Sequence, residues 1–195
     1  DGKTYTFLMR RDAEWHDGQP VSADDAVFTY QTLASKDLPT DPELTALWGQ
    51  VKPERQDQAT LRLSMAQPFS PFLSYTTVGI APTHVYQGIS PKDMSSNTAN
   101  TVGSGLFRLK QASMEQVVLE ANPKSYTGRP RLDRLDFRFF RDDAAVAAAV
   151  VSGSVDGALL YPTTGKEAME RIAGMKEVSV HYLPRSNYSV MFLNA

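Results

Sequence analysis

The chain has 195 residues, no cysteine, and 20 Lys and Arg against 22 Asp and Glu, for a formal net charge of −2. That balance, without a run of like charge, gives no electrostatic case for nucleic acid or an anionic membrane surface, and no stretch approaches the ~18 apolar residues of a membrane span. Disulfide and thiol chemistry are excluded, whichever compartment the protein occupies. The length allows one or two compact units able to bury roughly 70% of the unfolded surface. The opening Asp1-Gly2-Lys3-Thr4-Tyr5 reads neither as a signal peptide nor as a natural start, so the chain is expected to be an excised piece.

In chain order, Thr4 to Arg10 predicts a strand with Tyr5, Phe7 and Met9 on one face. Trp15 to Tyr30 is a polar turn running into a capped helix: Asp17-Gly18 supplies the turn, with Gly18 at positive φ, and Ser22 is the N-cap with Asp25 as third helical residue. Ala23, Ala26, Val27, Tyr30, Leu33 and Ala34 then recur as one apolar stripe, while Asp24 and Asp25 sit where the helix dipole favours anions. Both acids read as capping residues. Pro39, Pro42 and Pro53 break the chain around a short amphipathic helix carrying Leu44, Leu47 and Trp48, before a half-buried strand from Ala59 to Met65. Pro82 starts a helical turn with His84, Val85 and Tyr86, and Ser90 to Ser104, rich in Ser, Thr, Asn and Gly, reads as a linker between subdomains.

Leu106 to Leu109 and Gln116 to Ala121 predict a hairpin, followed by turns at Asn122-Pro123 and Gly128-Arg129-Pro130 and a strand from Leu132 to Phe140. Asp142 caps a helix from Asp143 to Val151, dense enough in Ala and Val to predict extensive burial, and Ser152-Gly153 ends it. Val155 to Leu160 predicts a short buried strand. Thr164 and Glu167 form a capping box for a helix whose Ala168, Ile172 and Ala173 face inward, and strands follow at Glu177 to Leu183 and Tyr188 to Leu193. This alternation indicates an α/β layer with some parallel pairing.

Catalytic signals are weak. His16, His84 and His181 lack a second ligand at metal-site spacing, Gly103-Ser104-Gly105 is not a nucleophile elbow, and adjacent acids such as Asp24/Asp25 or Asp142/Asp143 point apart on a helix. Gly103-x-Gly105 also lacks the third Gly, the Lys and the following helix of a phosphate loop. The arginines from Arg129 to Arg141 alternate with Phe137, Phe139 and Phe140 but are cancelled by Asp133, Asp136, Asp142 and Asp143, as in a core strand. No catalytic residue, metal or cofactor is expected.

Trp15-His16-Asp17-Gly18-Gln19-Pro20-Val21-Ser22-Ala23-Asp24-Asp25-Ala26-Val27-Phe28-Thr29-Tyr30 resembles the signature of the family 5 extracytoplasmic solute-binding proteins, the peptide- and nickel-type receptors of ABC importers, with Ala26 for the usual Val. Four further segments resemble family patterns in the expected order. They are Val102-Gly103-Ser104-Gly105-Leu106-Phe107-Arg108-Leu109, the Val118 to Pro130 stretch with Asn122-Pro123, Leu132 to Arg138, and Val151-Ser152-Gly153-Ser154-Val155-Asp156. Leu106 stands for a usual Pro, and Thr127 for an aromatic; both departures concern local packing.

The resemblance implies a periplasmic-binding-protein-like α/β fold of type II with a mixed sheet, present as an incomplete lobe. Residues 1–100 would form an inserted subdomain of lobe I and 101–195 a partial core subdomain, with the second lobe absent. It also implies a solute-binding component of an ABC importer. Such a receptor is periplasmic or extracytoplasmic and lipid-anchored in a Gram-positive cell; it traps a small molecule or oligopeptide between closing lobes and hands it to the membrane permease. The wall of that cleft would comprise Leu47 and Trp48, then Leu159, Leu160 and Tyr161, then Val190 and Phe192. Each apolar side chain there could equally be core. Two other classes stay open: a hydrolase domain with acids supplied from elsewhere, showing convergent titratable groups, and a protein-binding adaptor, showing an exposed apolar patch.

Overall fold

The computed structural model describes residues 2–96, 101–160 and 166–182, which fall into two compact units, Asp1–Phe137 and Arg138–Ala195.

The first unit opens with strand β1 (Thr4–Leu8), whose alternation is the period of a half-buried strand. Helix α1 (Ala23–Leu33) starts at Ser22, which is in extended conformation and forms a capping box with Asp25. Helix α2 (Pro42–Trp48) is capped by Asp41, whose side chain accepts from Glu43 N, with Pro in the first turn where a missing N–H costs nothing. Strands β2 (Val51–Arg55) and β3 (Thr60–Met65) complete an antiparallel sheet in the order β1-β3-β2, with Tyr5 opposite Leu63 and Phe7 opposite Leu61. Strand β2 corrects the expectation that Pro53 interrupts regular structure. Because β2 is an edge strand, a residue without an N–H is accommodated there.

Helices α1 and α2 cover one face of this sheet, and the core is Ala23, Ala26, Tyr30, Trp48, Val51, Leu61, Leu63 and Phe72. At its centre the rings of Tyr30 and Trp48 stack with centroids 4.3 Å apart, and Phe72 meets Trp48 and Tyr5 at tilted angles. Phe72 belongs to the one-turn α3 (Phe72–Tyr75). Another short helix, α4 (Thr83–Tyr86), and a 3₁₀ segment (Pro91–Ser96) follow.

Strands β4 (Phe107–Ala112) and β5 (Gln116–Ala121) form the expected hairpin, antiparallel and irregular between Leu109 and Gln111. Strand β6 (Arg134–Arg138) joins β5 to make a second three-stranded sheet, with Ala121 N donating to Asp133 O. The pairs β1–β3, β2–β3 and β4–β5 are all antiparallel. Val155 to Leu160, expected as a short buried strand, forms none, and residues 177–182 of the next expected strand are likewise irregular. Their apolar residues gave a strand-like composition, but among the described residues no strand pairs with them.

In the second unit α5 (Asp143–Val151) is capped by the Asp142 side chain, which accepts from Ala145 N at 2.8 Å, and it packs beside α6 (Lys166–Ala173). The extensive burial expected of α5 is not found; Ala147 and Ala149 alone are fully buried along it. A helix apolar on every side need not be enclosed on every side. On α6 Ile172 is buried, Ala168 half-buried and Ala173 exposed, so the inward face expected for Ala173 is corrected. The capping residue Thr164 and the strand at Tyr188 to Leu193 lie outside the described residues.

Candidate functional site

The signature segment builds one dense polar cluster. Gly18 takes φ +89°, as the turn requires, and its N–H closes onto Trp15 O at 2.8 Å. The turn brings Trp15 beneath the start of α1, where its indole Nε1 donates to Asp25 Oδ2 at 3.2 Å. The same oxygen accepts from Ser22 N and Ser22 Oγ, and Oδ1 accepts from Thr83 N at 2.8 Å. Asp25 is only 4% exposed. Beyond capping, it is a buried hub joining the turn, α1 and α4. Thr29, one helical turn on, accepts at Oγ1 from Ala81 N at 2.8 Å and strengthens the same attachment.

Asp17 and His84 form a second link, Nε2 to Oδ2 at 2.6 Å. Burial pushes the Asp17 carboxyl up, but the hydrogen bonds from His84 and Gln19 N outweigh it and hold the group below its ordinary range. Asp24, in contrast, faces outward and pairs with Arg55 at 2.9 Å. A shallow depression of about 320 Å³ opens here, lined by polar groups including Gln19, Asp24, Arg55, Gln58 and His84. Asp24 pairs with Arg55, and His84 is hydrogen-bonded to Asp17, so these side chains already have partners within the protein. Among the described residues no group of three or more His, Cys, Asp or Glu gathers as a metal site would require.

A third cluster lies where three of the sequence segments meet. His16 Nε2 and Asn122 Nδ2 both reach the carbonyl of Gly105, at 3.1 and 3.0 Å, and His16 Nδ1 accepts from Gly103 N at 3.3 Å. Nearby, Lys124 Nζ meets Glu14 at 3.0 Å, and the Arg10 guanidinium lies over the Tyr126 ring at 5.3 Å.

The expected wall residues fall in both units. Leu47 is half-buried and lines a groove of about 210 Å³ with Gln50, Met65, Ala66, Gln67, Pro68 and Phe69. Trp48, 1% exposed, is instead a core residue: helix periodicity turns it inward onto Tyr30 and Phe72, so its surface is unavailable to a ligand in this structure. Leu159 is exposed and Leu160 half-buried in the second unit. Tyr161, Val190 and Phe192 lie outside the described residues. The role of Asp25 was missed by sequence reasoning, although an acid at the third helical position beside a tryptophan-bearing turn was a visible signal.

The family profile described as bacterial extracellular solute-binding proteins, family 5 Middle, matches residues 1–195. A Brucella ovis protein, named as an ABC transporter peptide-binding protein, is 33% identical over 160 residues, covering 80% of this chain and 30% of its own length. The oligopeptide-binding protein AppA of Bacillus subtilis is 26% identical over 183 residues, covering 91% of this chain and 34% of its own. Its solved complex with a nonapeptide superposes with TM-score 0.71 at 25% identity, over 79% of this chain and 32% of AppA. Campylobacter jejuni NikZ, solved with Ni(L-His), gives TM-score 0.73 at 25% identity, over 82% and 32%. The chain spans about a third of the length of the curated relatives it matches. With the family profile matched from end to end, this chain belongs to the family 5 bacterial extracellular solute-binding proteins.

Proposed function

We propose that these residues form part of the solute-binding component of an ABC importer, which captures a peptide or similar small solute in a cleft between two lobes and delivers it to the membrane permease. The observation that carries this reading is the end-to-end family match, together with relatives whose names describe peptide binding. On this reading residues 1–100 belong to an inserted subdomain of lobe I and 101–195 to its core. The cleft wall draws on Leu47, Leu159, Leu160, Tyr161, Val190 and Phe192, while Trp48, also expected there, is buried in the core. The protein works outside the cytoplasm, lipid-anchored if the cell is Gram-positive. Among the described residues no helix is long and apolar enough to cross a membrane.

Small-ligand sites bury ~70–90% of the ligand, and one wall leaves the opposite face wet while the association cost of several kcal/mol remains. The expected outcome in calorimetry is that the full-length protein binds oligopeptides from a defined two-to-nine-residue series, with residues 1–195 alone at least about tenfold weaker. Equal affinities would place the whole site within these residues and end the two-lobe reading. Binding of Ni(L-His) with no peptide bound would replace the ligand class. Cleavage of the peptides during incubation would favour the hydrolase alternative.

A further inference from the structure

We propose that His16 is a pH-sensitive latch: a neutral imidazole protonated on Nε2 clips the Gly103–Gly105 turn to the Trp15–Gly18 turn, and a second proton on Nδ1 releases it. The two partners fix the tautomer without ambiguity. Gly103 N–H can only donate, so Nδ1, 3.3 Å away, must present its lone pair. The Gly105 carbonyl can only accept, so Nε2, at 3.1 Å, must carry the hydrogen. The backbone holds the ring in place, with His16 N donating to Gly103 O at 2.7 Å.

Gly103 is fitted to the ring. A Cβ at that position would sit 3.3 Å from His16 Cε1, so any other residue would press on the imidazole. The Gly105 carbonyl also receives Asn122 Nδ2, so the latch secures the region that leads into β4 and the Asn122-Pro123 turn after β5.

The acidic residues flanking His16 in sequence have other partners. On the same turn, Asp17 holds His84 and Glu14 holds Lys124, the latter reaching over from the turn after β5. Residues 101–106, Thr-Val-Gly-Ser-Gly-Leu, bring no charge. Protonation at Nδ1 therefore sets two N–H donors face to face at Gly103, and one hydrogen bond is lost. Histidine is the side chain whose charge ordinarily changes between about pH 5 and 8.

Glutamine is the informative replacement, since its carboxamide offers one acceptor and one donor and does not titrate. The test is hydrogen exchange of the intact protein across residues 101–105 at about pH 8 and about pH 5, corrected for intrinsic rates. Protection at Gly103 is expected to fall about fivefold or more in acid in the natural protein, the worth of one hydrogen bond, and to persist in His16→Gln. NMR of ¹⁵N-labelled histidine at about pH 8 is expected to show His16 protonated on Nε2. An Nδ1-protonated ring, unchanged protection in acid, or an equal acid loss in His16→Gln would each overturn the latch. Should His16→Gln fail to fold, the tautomer and the natural protein's exchange decide it.

Discussion

Asp24 and Asp25 are neighbours in the first turn of one helix, yet they do different work. Asp25 is buried and accepts from Trp15, Ser22 and Thr83, so removing its carboxylate strands several inward donors, each at a cost of ~1–3 kcal/mol. Asp24 pairs with Arg55 while about half exposed, and such pairs contribute ~0–1 kcal/mol. Gly18 lies between: nothing stands within 4 Å of a Cβ built there, so the penalty of Gly18→Val is that of positive φ alone, ~1–3 kcal/mol. The expected order of destabilisation in urea unfolding is Asp25→Ala, then Gly18→Val, then Asp24→Ala. A loss at Asp24 equal to that at Asp25 would refute it. The turn, the cap and the positive φ were legible because they depend on residues a few positions apart. The Thr83 bond was not, since its donor arrives from 58 positions away.

Helix α2 shows what periodicity conveys and what it leaves out. Spacing placed Leu44, Leu47 and Trp48 on one amphipathic helix, but it could not say which of them meets solvent. Trp48 fills the core while its Nε1, buried, finds no hydrogen-bond partner among the described residues. Truncation to Ala is expected to cost ~3–5 kcal/mol through the cavity. Trp48→Phe is expected to cost less than about 2 kcal/mol, because it also removes an unpaired buried donor. Thermal unfolding of both variants checks this, and equal losses would show that Nε1 is satisfied in solution. The missed strand β2 has a related cause: Pro53 forbids a central strand but not an edge, and sheet order is a property of the whole unit. Residues 155–160 failed the other way, their apolar residues suggesting a strand where, among the described residues, none pairs with them. Of the cleft wall, sequence conveyed only the resemblance, since a wall depends on chain segments brought together from far apart.

At the scale of the molecule, the two units divide the chain at residue 137, and the first carries every element of the signature network. Its sheet order, β1-β3-β2, also sets an order of assembly in time. Strands β2 and β3 are joined by a four-residue turn, and β4 and β5 by three, whereas β1 meets β3 only after the chain between residues 8 and 60 has been looped back. Closing a loop of roughly fifty residues costs about 2 kcal/mol more entropy than closing one of four, and non-local pairings slow folding generally. In pulse-labelled hydrogen exchange during refolding, amides of the two hairpins are expected to gain protection before those of Thr4–Leu8; the reverse order would contradict this. A chain emerging from the ribosome thus presents β1 long before β3 exists, and Tyr5 and Phe7 meet Leu63 and Leu61 only once residues 60–65 have been made.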